Sequence, residues 1–205
     1  MSMFWFCFTW ICWCVMHSLL IEPAVAGRIK KRLGRYAGFY RLMYNLLSGV
    51  SLLPLVWFTL ADGGAIVFSW SGPAVVLRFI CIVLALLCFF EGARGYDMGS
   101  FLGVKQIREN EDSLLLGGDA SFSEFGVFAL VRHPWYVGSL LFVWSILTTY
   151  HEKSFAVAVI LSVYLIVGTF LEERKILAEH GEMYRRYKER VSMFVPLKWL
   201  LRRFL

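Results

Sequence analysis

Hydrophobic positions in this chain neither alternate nor mark a single helical stripe. They run in five long blocks, at residues 4–21, 42–61, 73–93, 134–150 and 155–171. A helix needs about 20 apolar residues to cross a hydrocarbon core about 30 Å thick. The first three blocks meet that length, the third carrying Arg78 and, near its inner end, Glu91. The last two are shorter, at 17 residues each, so they extend into their flanks or cross where the bilayer is thin. The pattern predicts an all-α integral membrane protein of about five transmembrane helices. It is a single membrane domain, 1–205, ending in a polar helical tail, 172–205.

Basic residues give the blocks a direction, because loops on the cytoplasmic side collect Lys and Arg. Six lie between blocks one and two, four between blocks three and four, and nine after block five, which is 19 of the 21 present. The others are Arg78 and Lys153. This distribution predicts an N-terminus outside, with the 22–41 loop, the 94–134 segment and the tail in the cytoplasm. Composition agrees: 59% of residues are hydrophobic and 18% charged, against about 45–50% and about 25% in soluble domains. Disorder, a coiled coil and an ordinary soluble enzyme are excluded. The net charge of +6, which in a soluble protein would suggest a nucleic-acid partner, is here a topology signal, so none is expected.

Ala24-Val25-Ala26 resembles a signal-peptide cleavage site. However, no Lys or Arg precedes the first block, and cleavage would require translocating the basic 28–35 cluster. The block is read as a span. Cys7, Cys12, Cys14, Cys81 and Cys88 all fall within spans, with no acidic or His partner at metal-site spacing. They read as small apolar fillers, and no metal is expected. The 96–125 segment is long for a connection. Its Glu109, Glu111 and Asp112 form an acidic stretch, and Gly117-Gly118-Asp119 marks a turn. A phosphate cradle would need a strand before that turn and a helix after it, and neither is evident.

In the tail, Gly181 is placed to end a helix. Tyr184, Tyr187 and Val191 then share one face. Leu197, Leu200, Leu201 and Phe204, interleaved with Lys198, Arg202 and Arg203, predict an amphipathic helix lying on an anionic leaflet.

Polar groups converge at one point. Arg132-His133-Pro134 enters the fourth span and Glu172-Glu173 leaves the fifth. Two antiparallel helices of equal length return the chain to its starting depth, so these residues should meet at one interface. Pro134 suits a first helical turn, whose free amides favour an anion. Arg132 can grip a carboxylate in a fork, and the glutamates can accept from hydroxyls or an ammonium. Such a site suits a zwitterionic cofactor and an amphiphilic substrate.

These residues carry a family resemblance. Gly126-Val-Phe128-Ala-Leu-Val-Arg132-His133-Pro134-Trp-Tyr136-Val-Gly138 resembles the G-x-Y-x-x-x-R-H-P-x-Y-x-G signature of membrane methyltransferases. Those include the isoprenylcysteine carboxyl methyltransferases and phospholipid methyltransferases. Glu172-Glu173, Gly181, Tyr184, Tyr187, Val191 and Pro196 resemble the same family's tail. His17-Ser18, Tyr40-Arg41-Leu42-x-Tyr44-Asn45 and Phe101-x-Gly103-x-x-Gln106 resemble a narrower branch. That branch holds the methanethiol S-methyltransferases and denitrification-associated membrane proteins.

The resemblance implies S-adenosylmethionine as cofactor. Arg132, His133, Pro134, Tyr136, Glu172 and Glu173 would form its pocket, closed by Tyr184 and Tyr187. The tyrosine ring at 136 could face the sulfonium. The acceptor would be lipophilic or small: a carboxylate, an amine or a thiol. A base is needed only for an amine or thiol, and His17 is the candidate. Glu91 and Arg94 either pair or line the acceptor pocket; pairing is favoured. Phe128 stands where Tyr is common, and Gly168 where many carboxyl methyltransferases carry Arg. The second departure weakens a prenylcysteine carboxylate as acceptor. A bacterial cytoplasmic membrane with the site facing inward is expected. The alternative is a non-catalytic accessory protein on the same fold.

Overall fold

A computed structural model of the chain describes residues 2–61, 64–95, 97–109 and 126–204. Glu111, Asp112 and the Gly117-Gly118-Asp119 turn lie outside the described residues. Helices dominate: α1 (Met3–Ile21), α2 (Pro23–Leu33), α3 (Tyr40–Ala61), α4 (Ala74–Arg94), α5 (Met98–Leu102), α6 (Val104–Glu109), α7 (Pro134–Ser145), α8 (Glu152–Arg190) and α9 (Leu197–Phe204). Two short strands, β1 (Ile66–Ser69) and β2 (Thr149–His151), complete the elements used below.

Among the described residues, α1, the Pro23–Ala61 run, α4 and α8 are long and apolar enough to cross a membrane. Their outward faces are apolar: Leu46, Val50, Leu53 and Trp57 of α3, and Phe79, Val83, Leu87 and Phe90 of α4, are all exposed. In water such a surface would aggregate, whereas in lipid it is the correct solvent face. α8 is interrupted at Gly181, and the continuous part before it, residues 152–180, rises about 44 Å, longer than the hydrocarbon core. Only its apolar part, 155–171, is needed to cross, and the polar part from Glu172 onward projects beyond.

The fourth expected span differs. It was expected over 134–150, but α7 ends at Ser145 after 12 residues, about 18 Å of rise. Two contacts account for the stop. Arg78 Nε donates to Ser145 O at 2.8 Å and its Nη2 to Ile146 O at 3.1 Å, so a guanidinium satisfies the last carbonyls. The β-branched Thr148 and Thr149 then favour extended chain, and Trp70 N donates to Thr148 O at 2.9 Å.

The chain divides into two compact units. Unit 1 comprises 1–67, 96–118 and 150–160; unit 2 comprises 68–95, 119–149 and 161–205. Within unit 1, Trp10 Nε1 donates to Thr59 Oγ1 at 3.2 Å and Trp13 Nε1 to Ser51 Oγ at 3.0 Å, which ties α1 to α3. Within unit 2, α4 and α7 approach closely through glycines. A Cβ at Gly92 would lie 2.3 Å from Trp135 Cδ1, and one at Gly138 would lie 3.1 Å from Ala85 O. Small residues let helices meet where lipid offers no hydrophobic drive.

Candidate functional site

Arg132, His133, Glu172 and Glu173 come together within unit 2. His133 is the N-cap of α7 and Pro134 its first residue. Val131 forms a parallel bridge with Ser192, and Arg132 N donates to Ser192 O at 2.9 Å. The tail is therefore held by backbone pairing beside the Arg-His-Pro segment. α8 breaks at Gly181, whose φ of +53° suits glycine. Beyond it, Tyr184, Tyr187 and Val191 form a buried cluster against Ile176 and Leu177. Tyr187 Oη donates to Phe128 O at 2.8 Å, so the Phe at 128 contributes its carbonyl.

At the centre is Glu173, its side chain 4% exposed. Oε1 accepts from Arg132 Nε at 2.8 Å and lies 2.6 Å from Nη2; His133 Nε2 reaches it at 3.2 Å. Oε2 meets Lys188 Nζ at 2.7 Å. Arg132, its side chain 6% exposed, also donates from Nη1 to the carbonyls of Val191 and Lys188. The two charges are buried together with most of their hydrogen-bonding groups used, the condition under which a buried ion pair is tolerated. Burial opposes the Glu173 charge. The hydrogen bonds from His133, Lys188 and Arg132, and the Arg132 charge, outweigh it and hold the carboxyl well below the ordinary glutamate value. Burial, reinforced by the Glu173 charge, pushes the Tyr184 phenol well above its own.

Glu172 behaves differently from its neighbour. Its side chain is 30% exposed, and Oε2 lies 3.7 Å from His133 Nδ1. That oxygen is buried with no hydrogen-bond donor in reach. The His133 ring thus stands between two carboxylates, one saturated and one not. Tyr136 sits edge-on to His133, ring centroids 5.6 Å apart. A Cβ at Gly168 would lie 3.5 Å from the Tyr136 ring, so that ring lies against the position where many carboxyl methyltransferases carry Arg.

The other candidates lie apart from this knot. Glu91 and Arg94 pair with each other at 3.2 Å. His17 is in unit 1, 3.1 Å from Ser48 Oγ and 2.9 Å from Tyr44 Oη. Lys188 was not anticipated. It stands one residue after Tyr187 with no pattern to mark it, and only the return of the tail brings it to Glu173.

Comparison with known proteins places the chain in a family. The model of the NnrU protein family matches residues 5–195. The chain belongs to that family. Methanethiol S-methyltransferase 2 of Bradyrhizobium diazoefficiens is 30% identical to this NnrU member over 190 residues, 92% of the chain and 71% of the relative. Methanethiol S-methyltransferase 1 of the same organism is 28% identical over 162 residues, 76% of the chain and 54% of the relative. A protein-S-isoprenylcysteine O-methyltransferase of Schizosaccharomyces pombe is 28% identical over 140 residues, 61% of the chain and 55% of the relative. The chain therefore spans little more than half the length of two of these three. No solved structure matches it significantly. The resemblance to membrane methyltransferases drawn from the sequence is borne out, including its narrower branch.

Proposed function

We propose that this NnrU member is an S-adenosylmethionine-dependent membrane methyltransferase acting on a small thiol, with its site on the cytoplasmic side of a bacterial cytoplasmic membrane. The names of its relatives support methyl transfer, and the methanethiol enzymes among them favour sulfur as acceptor. The absence of an arginine at Gly168 points away from a carboxylate. The basic residues gathered in the loops and tail support the orientation.

One observation carries the cofactor assignment: the buried, unsatisfied Oε2 of Glu172 beside His133. A buried carboxylate oxygen without a donor is costly, and an ammonium or a ribose hydroxyl would satisfy it. The cofactor supplies an activated methyl on a sulfonium, so the chain's work is to bind, align and exclude water. Glu172 and His133 would hold the polar parts, and the Tyr136 ring would face the cation. Arg132, Glu173 and Lys188 hold the tail in place, and Tyr184 and Tyr187 close the side from which it returns.

Calorimetric titration with S-adenosylmethionine tests this reading. Wild-type protein should bind, and Glu172→Gln should bind about tenfold more weakly with its unfolding temperature unchanged. Failure of the wild type to bind would leave the accessory-protein alternative. If binding holds, radiolabelled methyl transfer to methanethiol, a prenylcysteine analogue and phosphatidylethanolamine separates the acceptors.

A further inference from the structure

Three short motifs of the first two-thirds of the chain are not used by the unit 2 site. They are His17-Ser18, Tyr40-Arg41-Leu42-x-Tyr44-Asn45 and Phe101-x-Gly103-x-x-Gln106. Within unit 1 they come together. Arg41, in the first turn of α3, is 5% exposed. Its Nε donates to Phe101 O at 3.2 Å, an oxygen that Asn45 Nδ2 also reaches at 3.0 Å. The guanidinium lies 5.6 Å from the Tyr44 ring centroid and 5.8 Å from that of Phe101. Tyr44 Oη touches His17, which stacks on Trp13 at 5.1 Å. Gly103, with φ +88°, packs tightly on the start of α3: a Cβ there would sit 2.7 Å from Leu42 N and 3.0 Å from Arg41 Cβ.

The charge is what stands out. Among the described residues no carboxylate pairs with Arg41, and its terminal Nη groups donate to none of them. Burying an arginine without a counter-ion is unfavourable, and two aromatic faces and one carbonyl offset only part of that. The Nε bond to Phe101 O and the ring pair orient the guanidinium, so its unused donors are positioned before any ligand arrives. A planar fork of N–H donors in apolar surroundings fits a small anion with two acceptor atoms or one soft one.

We propose that Arg41, flanked by Tyr44 and Phe101, forms a second ligand site in unit 1 for a small organic monoanion with a carboxylate or sulfur-anion head. The site is independent of the cofactor assignment in unit 2.

Saturation-transfer NMR on the full chain in detergent micelles tests it, with acetate, thioacetate and acetamide together. They present an oxygen anion, a sulfur anion and a neutral group of similar size. At least one anion should receive saturable transfer and acetamide none; which anion responds identifies the head group. Arg41→Met should lose the signal at least fivefold. Should that variant not fold, Arg41→Lys should weaken it severalfold, because a point charge lacks the fork. Transfer to neither anion in the wild type, equal transfer to acetamide, or an unchanged signal in the variant overturns the site. Because acetate and thioacetate are read without S-adenosylmethionine, failure here leaves the methyltransferase proposal standing, and the reverse also holds.

Discussion

Arg132 in unit 2 and Arg41 in unit 1 are almost equally buried, at 8% and 5% exposure, yet their surroundings differ in kind. Arg132 faces a buried carboxylate and two tail carbonyls, and Lys188 and His133 complete the shell of Glu173. Arg41 faces two aromatic rings and one carbonyl, with no carboxylate among the described residues. Burial alone therefore does not separate a clamp from a ligand site. The closure of the local charge balance does. In unit 2 the same contrast recurs between adjacent residues, where Glu173 is saturated and Glu172 retains a buried oxygen without a donor.

The largest expected effect comes from opening the closed pair. Glu173→Ala leaves Arg132 buried and uncompensated and removes the partner of His133 and Lys188. A loss of about 3–5 kcal/mol is expected, read as a lower midpoint in thermal unfolding in detergent. A loss under about 1 kcal/mol would mean that the pair does not hold the tail. Acid tests the same group reversibly. The folded Glu173 carboxyl titrates well below the ordinary 4.5, so its contribution is complete above that value. As pH falls below about 4.5 the unfolded chain takes up the proton first, and the contribution shrinks until the folded carboxyl also protonates. Glu173→Gln should lack that part of the acid sensitivity.

A smaller effect tests the part that sequence reading did not foresee. Lys188→Ala removes one partner from Glu173 Oε2 but leaves Arg132 in place. Because Lys188 is 35% exposed, water compensates part of the loss, and about 1 kcal/mol is expected. The meeting of Arg132, His133, Glu172 and Glu173 was legible because the Arg-His-Pro segment enters one apolar block and the glutamate pair leaves the next, and it holds although α7 ends earlier than its block. The tyrosine face of the tail was legible from its period, and so was the break at Gly181. Lys188 was not, since nothing local marks a lysine whose partner is reached by backbone pairing of Val131 with Ser192. The early end of α7 was hidden for the same reason: Arg78 looks like an interruption in an apolar run until its donors are found on Ser145 O and Ile146 O. Apolar blocks report which segments prefer lipid, and they say little about where a carbonyl-capping side chain stops a helix.

The smallest expected effect is the one most able to break the comparison. If Arg41 is held uncompensated, replacing it with an apolar side chain of similar length should cost little. Arg41→Met loses the Nε bond to Phe101 O and the two ring contacts, about 1 kcal/mol each at most. It also removes the penalty of keeping a charge out of water, which opposes those losses. The net change should lie within about 1 kcal/mol of zero, several times smaller than for Glu173→Ala, although both substitutions strike a buried ionised group. Parallel thermal unfolding of the two variants decides the matter. Equal, large losses would mean that unit 1 closes the Arg41 charge as tightly as unit 2 closes that of Arg132, and burial would then have described both. A near-zero loss for Arg41→Met, together with lost anion binding, would mean that this arginine is kept for a ligand at little cost to the fold.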